Sequence, residues 1–149
     1  MAADVTRMNR RLLLALPGLA LMPAARADEA AMRSLMAEFT AGAPITPGRV
    51  AMEISPLVEN GNTVPLSVIV ASPMTPSDHV RAIAVFNERN PQPHVITVRL
   101  SPLSGRPMLS TNIRLATSQR LWAVAHMSDG SFWSDSVQVV VTLAACVEG

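Results

Sequence analysis

Cys146 is the one cysteine of a 149-residue chain and stands three residues before its end, directly after the apolar run Val137–Leu143. A thiolate is a nucleophile and a point of covalent attachment, and its reactivity depends on exposure and on a lowered pKa. On a chain end such a sulfur reaches partners that a core residue never meets, because termini are mobile unless docked. The local charges oppose activation: Glu148 and the terminal carboxylate are anions beside the sulfur. They disfavour the thiolate unless a partner supplies positive charge. Position alone leaves two readings open, a functional thiol on a free end and a structural or silent cysteine.

Other chemistry is sparse. An enzyme site needs a nucleophile with a base, or ligands spaced for a metal. His79, His94 and His126 are scattered along the chain without the spacing of a zinc or copper site. They read as surface or half-buried strand histidines. The nine methionines form no clustered pattern and read as core filling, with copper handling as the alternative. Trp122 and Trp133 bracket Asp129-Gly130, where Phe132 also sits, and read as hairpin packing across neighbouring strands. Asp78, Asp129 and Asp135 read as turn formers. No catalytic residue, cofactor-binding residue or metal ligand is assigned, and Cys146 stands as the single candidate site.

The elements that must hold this cysteine follow from periodicity. Met32, Leu35, Met36 and Phe39 recur at three- and four-residue spacing, which predicts a short amphipathic helix over 29–39. Ala41-Gly42-Ala43-Pro44 and Pro47-Gly48 end it. From there the period is two. Val50–Ile54, Val64–Val70, Val80–Phe86, His94–Leu100, Met108–Leu115, Leu121–Met127 and Val137–Leu143 read as strands bounded by turns such as Asn60-Gly61, Ser104-Gly105 and Asp129-Gly130. About seven short strands without helical crossovers predict an all-β, antiparallel immunoglobulin-like sandwich, although the paired cysteines of true immunoglobulin domains are absent. Pro65, Pro91, Pro93, Pro102 and Pro107 fall at strand starts or turns, where a missing N–H does least harm.

The N-terminus reads as an export signal over residues 1–27. Arg7-Met8-Asn9-Arg10-Arg11 is a basic region, Leu12–Met22 an apolar stretch too short to span a bilayer, and Ala25-Arg26-Ala27 a small-residue cleavage site. Arg10-Arg11 before three leucines resembles a twin-arginine signal, with an ordinary secretory signal as the alternative. Neither leaves a membrane anchor, and both place the protein in the periplasm. The remainder, residues 28–149, divides into a helix and linker (28–47), the sandwich (48–143) and a C-terminal arm (144–149). It holds eight arginines, no lysine and ten acidic residues, a formal charge of −2, so nothing points to nucleic acid. One cysteine in an oxidising compartment permits no internal disulfide.

Several motifs, in order, carry a resemblance. They are Val58-Glu59-Asn60-Gly61-Asn62-Thr63-Val64-Pro65, Ser72-Pro73-Met74-Thr75, Asn90-Pro91, Ile113-Arg114-Leu115-Ala116-Thr117-Ser118-Gln119, Ser128-Asp129-Gly130-Ser131-Phe132-Trp133, and Val141-Thr142-Leu143 before the cysteine. With them the chain resembles SoxY, the sulfur-carrying subunit of the periplasmic thiosulfate-oxidising system. The resemblance implies an immunoglobulin-like sandwich that pairs with a SoxZ-like subunit as a heterodimer. It implies covalent sulfur attachment at Cys146 on a C-terminal arm, with no other cofactor. It also implies that a c-type cytochrome enzyme and a hydrolase act on the carried sulfur, so the chain delivers and its partners catalyse. The arm departs from the family's Gly-Gly-Cys-Gly-Gly, reading Ala144-Ala145-Cys146-Val147-Glu148-Gly149. Alanine restricts the backbone and valine adds β-branched bulk. Three readings follow: a divergent carrier, a SoxY-like paralogue holding another sulfur species, and an immunoglobulin-like interaction module whose cysteine carries nothing.

Overall fold

The computed structural model describes residues 24–145, with side chains from residue 28 onward. Residues 1–23, which hold most of the expected export signal, and Cys146–Gly149 lie outside the described residues.

Helix α1 (Ala24–Thr40) contains the expected helix and starts ahead of it. Its outer face carries the Glu29–Arg33 ion pair at the favourable four-residue spacing. The helix stops at Gly42, whose φ of 77° lets its N–H turn back to the Ala37 carbonyl at 2.9 Å.

Nine strands follow: β1 (Ile45–Pro47), β2 (Val50–Glu53), β3 (Leu57–Asn60), β4 (Val64–Val70), β5 (Val80–Asn87), β6 (His94–Arg99), β7 (Met108–Ile113), β8 (Gln119–Met127) and β9 (Phe132–Leu143). The large sheet runs β1-β9-β8-β5-β6, with β3 also paired to β9; the small sheet runs β2-β4-β7. Pairing is antiparallel as expected, except that β1 and β3 lie parallel to opposite halves of β9. These two short strands are additions to the seven expected. β9 also begins five residues earlier than the apolar run, because Trp133, Ser134 and Asp135 pair with β8 despite their mixed polarity.

The core forms where the two sheets face each other. Val64, Leu66, Val68 and Val70 alternate inward from β4 and meet Ile83, Val85, Leu121, Ala123, Ala125 and Val139 of the large sheet. Burying a side chain of this size contributes about 1.5–3 kcal/mol, so this double layer is the main source of stability. The opposite face of the large sheet is covered by α1: Met32 and Met36 pack on Ala84, Phe86, Val124 and Phe132. β5 is therefore buried on both faces, which is why Val80–Phe86 reads as a nearly continuous apolar run. Met52 and Met127 are also buried, in keeping with methionine as core filling. Pro65 lies in β4 beyond the end of β2, where one flank of the strand has no neighbour to bond.

Asp78 and Asp129 sit in turns as expected. Asp135 does not: it is inside β9, where its Oδ2 accepts the Met52 N–H at 2.9 Å. That bond ties β2 of the small sheet to β9 of the large one. The two tryptophans pack on neighbouring strands without pairing to one another: Trp133 stands opposite Ala125 and Trp122 opposite Ser136. The Arg49 guanidinium lies over the Trp133 ring, 5.6 Å from its centroid. Among the described residues no helix is long and apolar enough to cross a membrane.

Candidate functional site

The described chain ends one residue before Cys146, so the site is defined by what holds its root. Leu143 closes β9, Gly61 follows β3 and Leu115 follows β7, and three backbone hydrogen bonds link them. Gly61 N–H donates to the Leu143 carbonyl at 2.8 Å, Leu115 N–H to the Gly61 carbonyl at 2.9 Å, and Ala145 N–H to the Leu115 carbonyl at 3.0 Å. Leu115 is fully buried and Ala145 is 6% exposed. Only glycine fits at position 61. A Cβ there would stand 2.4 Å from the Leu115 carbonyl oxygen and 2.9 Å from the Ala145 nitrogen, both backbone atoms that cannot swing aside.

Side chains brace this clamp. Ser118 Oγ accepts the Val141 N–H at 2.9 Å, and Thr142 Oγ1 donates to the Glu59 carbonyl at 3.1 Å, so the end of β9 is held on both flanks. The loop carrying Leu115 is fixed from beneath by Asn90, whose Oδ1 accepts from Ala116 N–H at 3.0 Å and from Gln119 Nε2 at 2.7 Å. Asn90 Nδ2 donates to the Arg114 carbonyl at 2.8 Å. Gln119, 1% exposed, receives the Arg89 N–H on its Oε1 at 2.9 Å. A buried Gln119 and a half-buried Asn90, each with several hydrogen bonds, make a stiff mount.

Three of the separated motifs therefore meet in space. Residues 58–65, 90–91 and 113–119 converge on 141–143 and grip the chain up to Ala145. Sequence reasoning named these segments without assigning Gly61, Asn90, Leu115 and Gln119 a task; the signal was their shared place in the motifs. Ser128, of the motif 128–133, reaches the loop that follows 72–75, where its Oγ accepts the His79 N–H at 3.0 Å.

The docking of Ala145 bears on the arm's departure from a glycine-flanked pattern. An alanine that is buried and hydrogen-bonded has no use for the freedom of glycine, so the residue before the cysteine belongs to the body of the domain. The chain beyond the clamp is residues 146–149.

The histidines do not converge. His79 Nδ1 lies 3.1 Å from the Thr75 carbonyl, His94 Nε2 lies 2.8 Å from Thr97 Oγ1, and His126 stacks on Phe132 at 4.4 Å. Burial, reinforced by Arg81 and opposed by Asp129, lowers the His126 pKa below its ordinary value. The Asp129 carboxyl is lowered by the hydrogen bonds it accepts from Ser131. Among the described residues no three histidine, cysteine, aspartate or glutamate side chains are grouped to hold a metal. Among the described residues the root presents backbone amides, side-chain amides, the Ser118 and Thr142 hydroxyls and apolar groups, which position a chain end.

An immunoglobulin-like sandwich that clamps its chain at the residue before the single cysteine defines the class. The family model described as sulfur oxidation protein SoxY matches residues 36–146, so its match ends on the cysteine. This chain belongs to the SoxY family. Among solved structures it is similar to the sulfur carrier protein SoxY from Chlorobium limicola f thiosulfatophilum, with a TM-score of 0.66 and 22% identity, covering 79% of this chain and 98% of that one. It also shares its fold with the superoxide reductase (neelaredoxin) from Ignicoccus hospitalis, with a TM-score of 0.57, 17% identity and 63% and 80% of the two chains covered. The superoxide reductase from Nanoarchaeum equitans gives a TM-score of 0.55 at 14% identity, covering 64% of this chain and all of that one. No curated protein matches the sequence.

Proposed function

We propose that this chain is a periplasmic carrier that holds sulfur intermediates of thiosulfate oxidation covalently on Cys146 and presents them to partner enzymes. The observation that carries the reading is the clamp at Ala145, which delivers the chain to the edge of a rigid body immediately before the single thiol. A catalyst would need reacting side chains around that point, whereas a carrier needs only a fixed base and a short reach.

The chemistry divides between partners. A c-type cytochrome enzyme joins the thiol to thiosulfate: an S–S bond forms, a proton leaves and two electrons pass to the haem protein, giving Cys–S–S–SO3−. A hydrolase then adds water to the sulfonate sulfur, releasing sulfate and a proton and leaving a persulfide on the carrier. Tethering keeps the intermediate at high effective concentration between these steps and prevents its loss. Export through a twin-arginine signal and pairing with a SoxZ-like subunit complete the reading. Leu57 and Val140, paired across β3 and β9 beside the root, stand 57% and 48% exposed, an apolar surface suited to a partner subunit.

Val147 and Glu148 favour one second reading, a SoxY-like paralogue that holds a different sulfur species on the same cysteine. Replacement of Cys146 by serine tests the shared claim. A folded Cys146→Ser protein that takes up no thiosulfate-derived mass and stops thiosulfate oxidation supports the carrier. Wild-type oxidation rates in cells holding only Cys146→Ser contradict it, and point to the plain interaction module.

A further inference from the structure

The sequence sets asparagine before glycine once, at Asn60-Gly61, and the fold puts that pair in the clamp. An asparagine side chain ahead of glycine is open to attack by the glycine's own backbone nitrogen, because glycine has no side chain to obstruct the approach. Both reacting groups are fixed here. Asn60 ends β3, opposite Leu143 in the parallel ladder with β9, and is exposed. Its Oδ1 accepts the Asn62 N–H at 3.0 Å and a second N–H from Asn62 Nδ2 at 3.0 Å. Two donors on one carbonyl oxygen polarise the Asn60 Cγ, and they stand where negative charge gathers when that carbon is attacked, as in an oxyanion hole. The Gly61 nitrogen is withheld: it is buried, and its N–H is bound to the Leu143 carbonyl at 2.8 Å.

We propose that Asn60-Gly61 is a self-modification site restrained by the clamp, at which asparagine converts through a cyclic imide to aspartate or isoaspartate when the end of β9 lifts away. The only reactant taken up is water. The Gly61 nitrogen gives its proton to solvent and bonds to Asn60 Cγ, the Cγ–Nδ2 bond breaks, and ammonia leaves with a proton from solvent. Water then opens the ring at either carbonyl. Cutting the new bond gives aspartate, and cutting the original main-chain bond gives isoaspartate. The net change is one water in and one ammonia out, with nothing oxidised or reduced.

The isoaspartyl product releases the clamp for good. Its main chain runs through Cβ and Cγ of residue 60, so one extra carbon separates β3 from Gly61. The seat of Gly61 tolerates no such displacement, since the Leu115 oxygen and the Ala145 nitrogen stand 2.4 Å and 2.9 Å from where a Cβ would lie. Gly61 out of its seat no longer donates to the Leu143 carbonyl or accepts the Leu115 N–H, and the Leu115 carbonyl loses its hold on the Ala145 N–H. The clamp protects the bond, and the intact bond keeps the clamp. Local opening of the end of β9 therefore sets the rate of a one-way change, whatever the chain carries.

The test incubates the mature protein at mildly alkaline pH. Peptide mapping reads the gain of one dalton at Asn60, labelling by a protein isoaspartate methyltransferase reads the isoaspartyl share, and a synthetic peptide of residues 57–65 gives the unrestrained rate. Conversion at Asn60 is expected to be slower than in the peptide by about tenfold or more. Ser118→Ala removes the brace on the Val141 N–H and is expected to raise both Asn60 conversion and Gly61 amide exchange about fivefold. Urea below the unfolding midpoint opens the clamp without a substitution, and the two rates are expected to rise together there. Asn62→Ala removes one of the two donors and is expected to lower conversion relative to Gly61 exchange about threefold. The isoaspartyl share of the converted protein is expected to exchange its Ala145 amide rapidly. Conversion as fast in the folded protein as in the peptide, no conversion while urea speeds Gly61 exchange, or conversion that ignores changes in that exchange overturns the proposal. An unchanged ratio in Asn62→Ala overturns the role given to its donors.

Discussion

Ala145 donates its backbone N–H to the Leu115 carbonyl at 3.0 Å, which makes the residue before Cys146 part of the loop that follows β7. The arm is thus anchored at its last residue before the sulfur.

Replacing Gly61 by alanine sets a methyl group 2.4 Å from that same Leu115 oxygen. Backbone must shift to relieve the overlap, at about 1–3 kcal/mol, the usual cost of overpacking. The expected result is a melting temperature lowered by several degrees and faster hydrogen exchange at the Ala145 amide. A Gly61→Ala protein with unchanged stability and exchange contradicts the clamp.

Asp135 joins the two sheets through the Met52 N–H. Asp135→Ala leaves that donor unpaired and is expected to cost about 1–3 kcal/mol in urea denaturation. Asp135→Asn keeps an acceptor oxygen and should recover a large part of the loss. Equal effects of the two substitutions would show that the bond contributes nothing.

His126 gives a pH dependence with a definite sign. Its folded pKa is lowered, chiefly by burial, below the ordinary value of 6.5. The unfolded chain therefore binds more protons as pH falls through 6.5, and stability is lost from there down toward the folded pKa. The stabilising contribution is complete above 6.5. Melting temperatures compared at pH 7.5 and 5.5 should fall more in the wild type than in His126→Gln, with carboxylate titrations common to both. A parallel decline in the two proteins contradicts this assignment.

Much of the sandwich was legible because its inner strands carry a strict alternation: Val64, Leu66, Val68 and Val70 announce both a strand and its buried face. β1 and β3 were not legible. Three- and four-residue edge strands bury little, and their parallel pairing with β9 is a long-range fact with no local pattern. Asp135 was read as a turn former because aspartate is common in turns, and its cross-sheet bond to Met52 depends on a partner 83 residues away. The cysteine was singled out from its position, but the mount of the residue before it was not legible. Gly61 resembles any turn glycine until Leu115 and Ala145 are brought against it.

Intact-protein mass spectrometry of the mature chain from its native compartment, with and without reductant and followed by mapping of the C-terminal peptide, tests the carrier role most directly. Reductant-sensitive, sulfur-containing additions confined to the peptide bearing Cys146 are the predicted result, and their masses name the intermediate held by this alanine- and valine-flanked arm. An unmodified Cys146 thiol in cells actively oxidising thiosulfate, with the pathway enzymes present, would contradict it.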